Sequence, residues 1–211
     1  MREILPGIHH WTIEWPGIFP LESYWLKTPA GGILFDPIEG PGPEAAEIAN
    51  DTLAVVLTNG WHERSAALFA QRTGAPIYLP AGHEGYFEAL DEYETYAGAD
   101  TLPGDLLAIA TPGKRADGGE QVLLSPMHGG TLIVGDCLGM AAKWTPWPEL
   151  PLGGHPRNHP VPDNTLAHLL DYEFENLLPG HGDPIVGGAR AELQRLIESG
   201  VSTSPPPVYV S

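Results

Sequence analysis

The sequence predicts an α/β fold, and three observations carry that reading. The chain has 211 residues, of which 42% are hydrophobic, enough for one domain with a sizeable core. Its apolar runs are short and are separated by frequent turn signals, with Gly at 26 positions and Pro at 23, so many brief elements are expected. The third observation is the stretch LAVVLTNGWHERS, Leu53 to Ser65. Leu53 to Leu57 is an apolar run containing two β-branched residues, the pattern of a buried strand. Thr58, Asn59 and Gly60 break it, and Ala66 to Phe69 restart an apolar pattern at helical spacing. A buried strand thus ends in a polar loop that feeds a helix, and ligands collect at the carboxyl ends of such strands.

The other elements follow in order. Ile4 to Ile13 reads as a first strand, with Gly7 as a bulge. Glu22 to Lys27 and Gly32 to Phe35 form a hairpin around Thr28 to Gly31, and its second arm ends in Asp36-Pro37. Pro43 opens a short helix, Glu44 to Ala49. Gly74 stops the helix that starts near Ala66. Ala75 to Leu79 is a strand, and His83 to Tyr96, acidic and aromatic, is a helix and a loop. Leu106 to Ala110, Gln121 to Leu124, Thr131 to Val134 and Leu177-Leu178 are further strands. Asp163 or Asn164 caps a helix running to about Tyr172. Ala189 to Glu198 is a closing amphipathic helix. Residues 1–200 are expected to form one domain, and 201–211, with Pro205 to Pro207, an extended tail.

Several segments, in this order, resemble the metallo-β-lactamase fold. Thr58 to Arg64 lies over the metal-binding motif THxHxDH at a strand end. Thr111-Pro112-Gly113-Lys114 resembles the family's TPGH, Gly135-Asp136 its apolar strand with a terminal Gly-Asp, and Pro179-Gly180-His181-Gly182 its closing PGHG. Asp36-Pro37 resembles the end of the family's opening strand pair. The resemblance spans residues 4 to 200 and implies two mixed β-sheets packed face to face with helices outside, an αββα sandwich. It also implies a site at one sandwich edge, where Asn59, Trp61, His62, Glu63, Arg64, Lys114, Asp136 and His181 form the expected pocket.

The motif is degenerate. Asn59, Trp61 and Arg64 stand where the family has histidines, Glu63 where it has aspartate, and Lys114 where it has another histidine. The family's chemistry uses one or two divalent metals to lower the pKa of a bound water. Here Glu63, Asp136 and His181 alone remain as ligands, with Asp136 and His181 the catalytic candidates. Arg64 cannot lose its proton, and Lys114 is ordinarily charged, so both oppose a divalent ion. No metal and no dinuclear centre is therefore expected. The alternative is one zinc, iron or manganese ion on Glu63, Asp136 and His181. Arg64 is expected to serve as a counter-charge to Asp136 in place of the metal, with Lys114 assisting. His62 occupies the motif's variable position and is expected to point away, bonded to backbone or water. His9 and His10 read as structural or rim residues, and Cys137 as a small buried hydrophobe. Trp144 and Trp147 belong to a Pro-rich loop from Trp144 to Asn164 that roofs the pocket or covers the core edge.

These residues give two functional readings. One is a metal-free or non-catalytic member of the fold that binds a small molecule or a partner. The other is a hydrolase of an ester or thioester type of bond with a single atypical metal. The formal charge of -17 opposes binding to nucleic acid or anionic membrane. The absence of a long apolar run argues against a membrane span. The N-terminus lacks the apolar core of a signal peptide, and a single cysteine excludes an internal disulfide, so a cytoplasmic location is expected.

Overall fold

The computed structural model describes residues 1–14, 20–40, 48, 50–83, 90, 92–111, 120–135, 137–138 and 166–198. Of the expected helix at Glu44 to Ala49 only Ile48 is described, and it is helical. The cap at Asp163 or Asn164, the loop from Trp144 to Asn164 and the tail 201–211 fall outside the described residues.

The first predicted strand is two strands. β1 (Arg2–Leu5) and β2 (Ile8–Ile13) pair antiparallel, and the chain reverses at Pro6-Gly7. Gly7 has φ +77°, a left-handed conformation open to glycine, so it makes a turn and not a bulge. β3 (Leu21–Thr28) and β4 (Gly31–Phe35) form the expected hairpin. β5 (Thr52–Val56) then runs parallel to β4, and β6 (Ile77–Pro80) parallel to β5. The stretch expected as helix and loop closes in a strand instead, β7 (Glu94–Tyr96), which pairs parallel to β6. Three residues are too few for periodicity to reveal, and pairing to β6 is what makes them a strand. These seven strands form one mixed sheet in chain order.

The second sheet holds β8 (Thr101–Leu102), β9 (Leu106–Ala110), β10 (Gln121–Ser125), β11 (Thr131–Val134) and β12 (Asn176–Pro179). Only the β11–β12 pair is parallel, so both strands end at the same edge. Between the sheets lies one core, with Ile8, Tyr24, Leu26, Phe35 and Val56 from the first and Leu106, Leu123, Ile133 and Leu178 from the second. Full burial of each such side chain contributes about 1.5–3 kcal/mol.

Helix α1 (Ala66–Thr73) packs Ala66 and Phe69 on the outer face of the first sheet, against Trp25, Leu34, Val55 and Leu57. Helix α2 (Ala189–Glu198) packs Ala189, Leu193 and Leu196 on the outer face of the second, against Val122, Leu132, Val134 and Leu177. Strands buried on both faces read as continuous apolar runs, which is why Leu53 to Leu57 and Thr131 to Val134 stand out in the sequence. The result is helix, sheet, sheet, helix. At one edge the carboxyl ends of β4, β5, β6, β11 and β12 come together with the start of β3.

Candidate functional site

Four strand ends build the site. Asp36 follows β4, Thr58 lies two residues past β5, Gly135 follows β11 and Gly180-His181 follows β12. Among the described residues, bonds that tie the sheets here include the Tyr24 hydroxyl to Pro179 O at 2.8 Å, Glu22 N–H to Gly180 O at 3.0 Å and Gln121 N–H to Thr58 O at 3.4 Å.

Asp36 is the hub. Its side chain accepts from Thr58 N–H at 2.8 Å, from the Thr58 hydroxyl at 2.7 Å and from His62 Nδ1 at 2.8 Å. A carboxylate only accepts, so Nδ1 of His62 carries the proton. Burial pushes the Asp36 carboxyl up, but the charge and hydrogen bond of His62, the nearby Arg64 and the Thr58 hydroxyl outweigh it, and the net shift is downward. Asp36 has φ +44°, an uncommon conformation for a side chain with a Cβ, of the kind found where surrounding contacts over-determine the backbone.

His62 does not point away. It is buried and bonded to a carboxylate, and its ring meets that of His181 edge-on with centroids 5.2 Å apart. His181 is itself anchored, with Nδ1 2.9 Å from Pro20 O. Gly180 makes this approach possible, because a Cβ there would lie 2.6 Å from His62 Cε1. Gly135 does the same for the loop after β5, where a Cβ would lie 2.4 Å from the Thr58 hydroxyl and 2.6 Å from Asn59 Nδ2. Gly60 N–H donates to Nδ1 of the buried His83 at 2.7 Å.

Arg64 also turns inward. Its guanidinium donates to Asp36 O at 2.9 Å, to Gly180 O at 3.0 Å and to Glu22 O. Three carbonyl oxygens from three strand ends thus converge on one fixed cation. Arg64 has φ +45° at the start of α1, a second uncommon backbone conformation at this edge. The start of α1 is fastened to the end of β4 by Ser65 N–H to Pro37 O at 2.9 Å and Glu39 N–H to the Ser65 hydroxyl at 2.9 Å.

The remaining predicted residues divide. Asn59 is buried and its Oδ1 accepts the Trp61 N–H at 2.8 Å. Trp61 is 56% exposed. Glu63 is partly buried, and desolvation raises its carboxyl. Lys114 and Asp136, with the proposed Arg64–Asp136 pair, lie outside the described residues. The neighbours of Asp136 are nonetheless held, since Gly135 N–H and Cys137 N–H donate to the two oxygens of Glu120 at 2.8 and 2.9 Å. Cys137 itself is buried in the outer core of the second sheet.

Sequence reasoning gave Asp36, Glu22, His10, His83 and Glu120 no place in the site, although it read Asp36-Pro37 as a strand end and His10 as structural or rim. Glu22 is wholly buried, and its Oε2 meets His10 Nε2 at 2.6 Å and the Thr12 hydroxyl at 2.5 Å. His10 stacks on Tyr24 with centroids 5.0 Å apart. Burial, then the nearby Glu22, raises the Tyr24 hydroxyl well above its ordinary range. Among the described residues, Glu22 Oε1, His10 Nδ1, Asn59 Nδ2 and Gln121 Oε1 are buried without a hydrogen-bond partner. Among the same residues, no group of three or more His, Cys, Asp or Glu side chains is arranged to hold a metal ion.

Two mixed sheets packed face to face, helices outside and a site at the shared strand ends define the metallo-β-lactamase fold, and the chain has that fold. No protein-family model matches the sequence, and neither does any curated protein. Solved structures do match. A metallo-β-lactamase from Pontibacter korlensis is 15% identical, with a TM-score of 0.66 over 93% of this chain and 97% of its own. A metallo-β-lactamase family protein from Thermus thermophilus is 17% identical, with a TM-score of 0.62 over 94% and 79%. The metallo-β-lactamase FIM-1 from Pseudomonas aeruginosa, in a mono-zinc form, is 16% identical, with a TM-score of 0.63 over 94% and 95%. At these identities the likeness concerns the fold.

Proposed function

We infer that this protein is a metal-independent member of its fold that binds a small molecule at the strand-end site. The observation that carries the reading is Arg64. In a metal site, ligand lone pairs converge on a cation. Here the carbonyls of Glu22, Asp36 and Gly180 converge on a guanidinium, which keeps its proton at any working pH. A divalent ion placed beside it meets a fixed like charge in a poorly solvated setting. The side chains that stand for the fold's imidazoles do not fit zinc either. Asn59 commits its carbonyl oxygen to Trp61 N–H, and Trp61 turns an indole largely to solvent.

The test is elemental analysis of the full chain purified without added metal, together with thermal unfolding with and without a chelator. Substoichiometric metal and an unchanged Tm are expected. One equivalent that survives dialysis, with a Tm that falls on chelation, would overturn the reading in favour of a hydrolase with an ion on Glu63, Asp136 and His181.

A further inference from the structure

Asn59 is the one asparagine of this chain that a glycine follows. A glycine has no side chain to shield its backbone nitrogen, so that nitrogen can attack the asparagine amide before it and close a five-membered ring. The fold surrounds this dipeptide with the groups such an attack needs.

The nucleophile has a base. Gly60 N–H donates to Nδ1 of His83 at 2.7 Å, and His83 is 1% exposed. A ring nitrogen that accepts carries a lone pair, so the imidazole stands at the proton that must leave. The contact requires a glycine, because a Cβ on Gly60 would lie 2.3 Å from the same Nδ1. The electrophile has an oxyanion donor. Asn59 Oδ1 accepts Trp61 N–H at 2.8 Å, a turn in which the side chain folds back along the two residues after it. The leaving group is not held. With Oδ1 so assigned, the other amide atom is Nδ2, which is buried without a hydrogen-bond partner among the described residues. It sits against Gly135, where a Cβ would come within 2.6 Å of it. Buried amides are nearly always bonded at both atoms, so a polarised oxygen beside an unbonded nitrogen calls for an explanation.

We propose that Asn59-Gly60 modifies itself, with His83 as the base and Trp61 N–H as the oxyanion donor. Gly60 N gives its proton to His83 Nδ1 and bonds to Asn59 Cγ, while the carbonyl electron pair moves onto Oδ1. As the carbonyl re-forms, the Cγ–Nδ2 bond breaks and the nitrogen leaves with that proton as ammonia. Solvent reaches this loop at the exposed Trp61, and water opens the cyclic imide at either carbonyl. Aspartate or isoaspartate results, with water consumed and ammonia released. The product places a new anion just past the end of β5, in the strand-end site.

The test follows residue 59 of the full chain by peptide mass mapping during incubation at neutral pH, in native buffer and in urea. With base and oxyanion donor fixed in place, native protein should lose ammonia at Asn59 at least about tenfold faster than the unfolded chain. In water enriched in heavy oxygen, the product peptide should carry the label at residue 59 in both aspartyl and isoaspartyl forms. His83→Gln keeps an acceptor for Gly60 N–H but no base, and should slow the native reaction about a hundredfold. If that variant does not fold, the comparison of native with unfolded wild type still decides. An Asn59 amide that outlasts the unfolded one in native protein overturns the proposal, as does a folded His83→Gln that reacts at the wild-type rate. Wild type isolated with residue 59 already converted counts for the proposal when His83→Gln keeps its amide, and against it when both are converted.

Discussion

His62 Nδ1 stands 2.8 Å from Asp36 Oδ2, and both side chains are almost wholly buried. The pair joins the end of β4 to the loop after β5, and Thr58 completes it with two more bonds to the same carboxylate. Removing one partner of a buried pair strands the other, which costs roughly 3–5 kcal/mol. His62→Ala should therefore lose about that much stability in urea unfolding at neutral pH. Asp36→Asn with His62→Ala should lose less than the sum of the single changes. Additive losses would mean that the contact is not energetically coupled.

The same pair sets a pH response. The Asp36 carboxyl is held below its ordinary value in the folded state, so it contributes stability that is fully present above the unfolded pKa of 3.8. That contribution is lost as pH falls through the lower, folded value. In His62→Ala the largest opposing influence to burial is gone, so the folded pKa rises and acid unfolding should begin at higher pH. Circular dichroism followed from pH 7 downward reads this directly, and an acid midpoint that matches wild type would count against it.

Arg64 combines a guanidinium that serves three carbonyls with a backbone at φ +45°. Arg64→Ala leaves those carbonyls without this donor and keeps the unfavourable φ, at a cost on the order of 3 kcal/mol. Arg64→Gly loses the same bonds but relieves the backbone, so it should be more stable than Arg64→Ala by about 1 kcal/mol. Arg64→Lys should fall between alanine and wild type, because an ammonium cannot span the fork. The counter-charge role toward Asp136 has its own test. Arg64→Ala combined with Asp136→Asn should recover part of the loss if the two side chains interact.

Gly180 and Gly135 test the close packing of the strand ends. A methyl on Gly180 would lie 2.6 Å from His62 Cε1, with Gly135 O also close at 3.3 Å. Gly180→Ala should cost at least about 1–3 kcal/mol by overpacking and displace His62 from Asp36. The imidazole NMR signals of His62 should move while those of the distant His128 stay. Unmoved His62 signals would mean that the ring has room the packing does not suggest.

The sequence displayed the architecture because both sheets are buried on two faces, and such strands announce themselves as apolar runs. The ordered turn motifs then identified which ends meet. The polar interior was less legible. His62 sits in a loop where no period relates a side chain to a face, so only the three-dimensional path turns it onto Asp36. Asp36-Pro37 was visible as a strand end, and its proximity to Thr58 follows from the parallel β4–β5 pair, which periodicity does not specify. Glu22 was within reach, since it shares the alternation of Tyr24 and Leu26, but an acidic residue at a strand start reads as exposed unless that alternation is followed to its end. β8, with two residues, carries no sequence signal at all.

Glu120 grips the backbone on either side of Asp136, with one carboxylate oxygen on Gly135 N–H and the other on Cys137 N–H. Its own carbonyl accepts from the Thr111 hydroxyl and, at 3.3 Å, from Thr111 N–H, so the residue links β9 and β10 to the end of β11. Glu120→Gln keeps the shape but replaces one acceptor with an NH2 group. That group cannot accept either backbone N–H and instead faces one as a donor. The change should cost about 1–3 kcal/mol. It should loosen one of the two amides specifically. Hydrogen exchange of Gly135 or Cys137 should quicken relative to Leu132 in the middle of β11, and labelling of the buried Cys137 thiol should quicken with it. Glu120→Ala should quicken both amides. If both keep wild-type exchange in Glu120→Ala, the backbone at Gly135 and Cys137 is held by something other than this carboxylate.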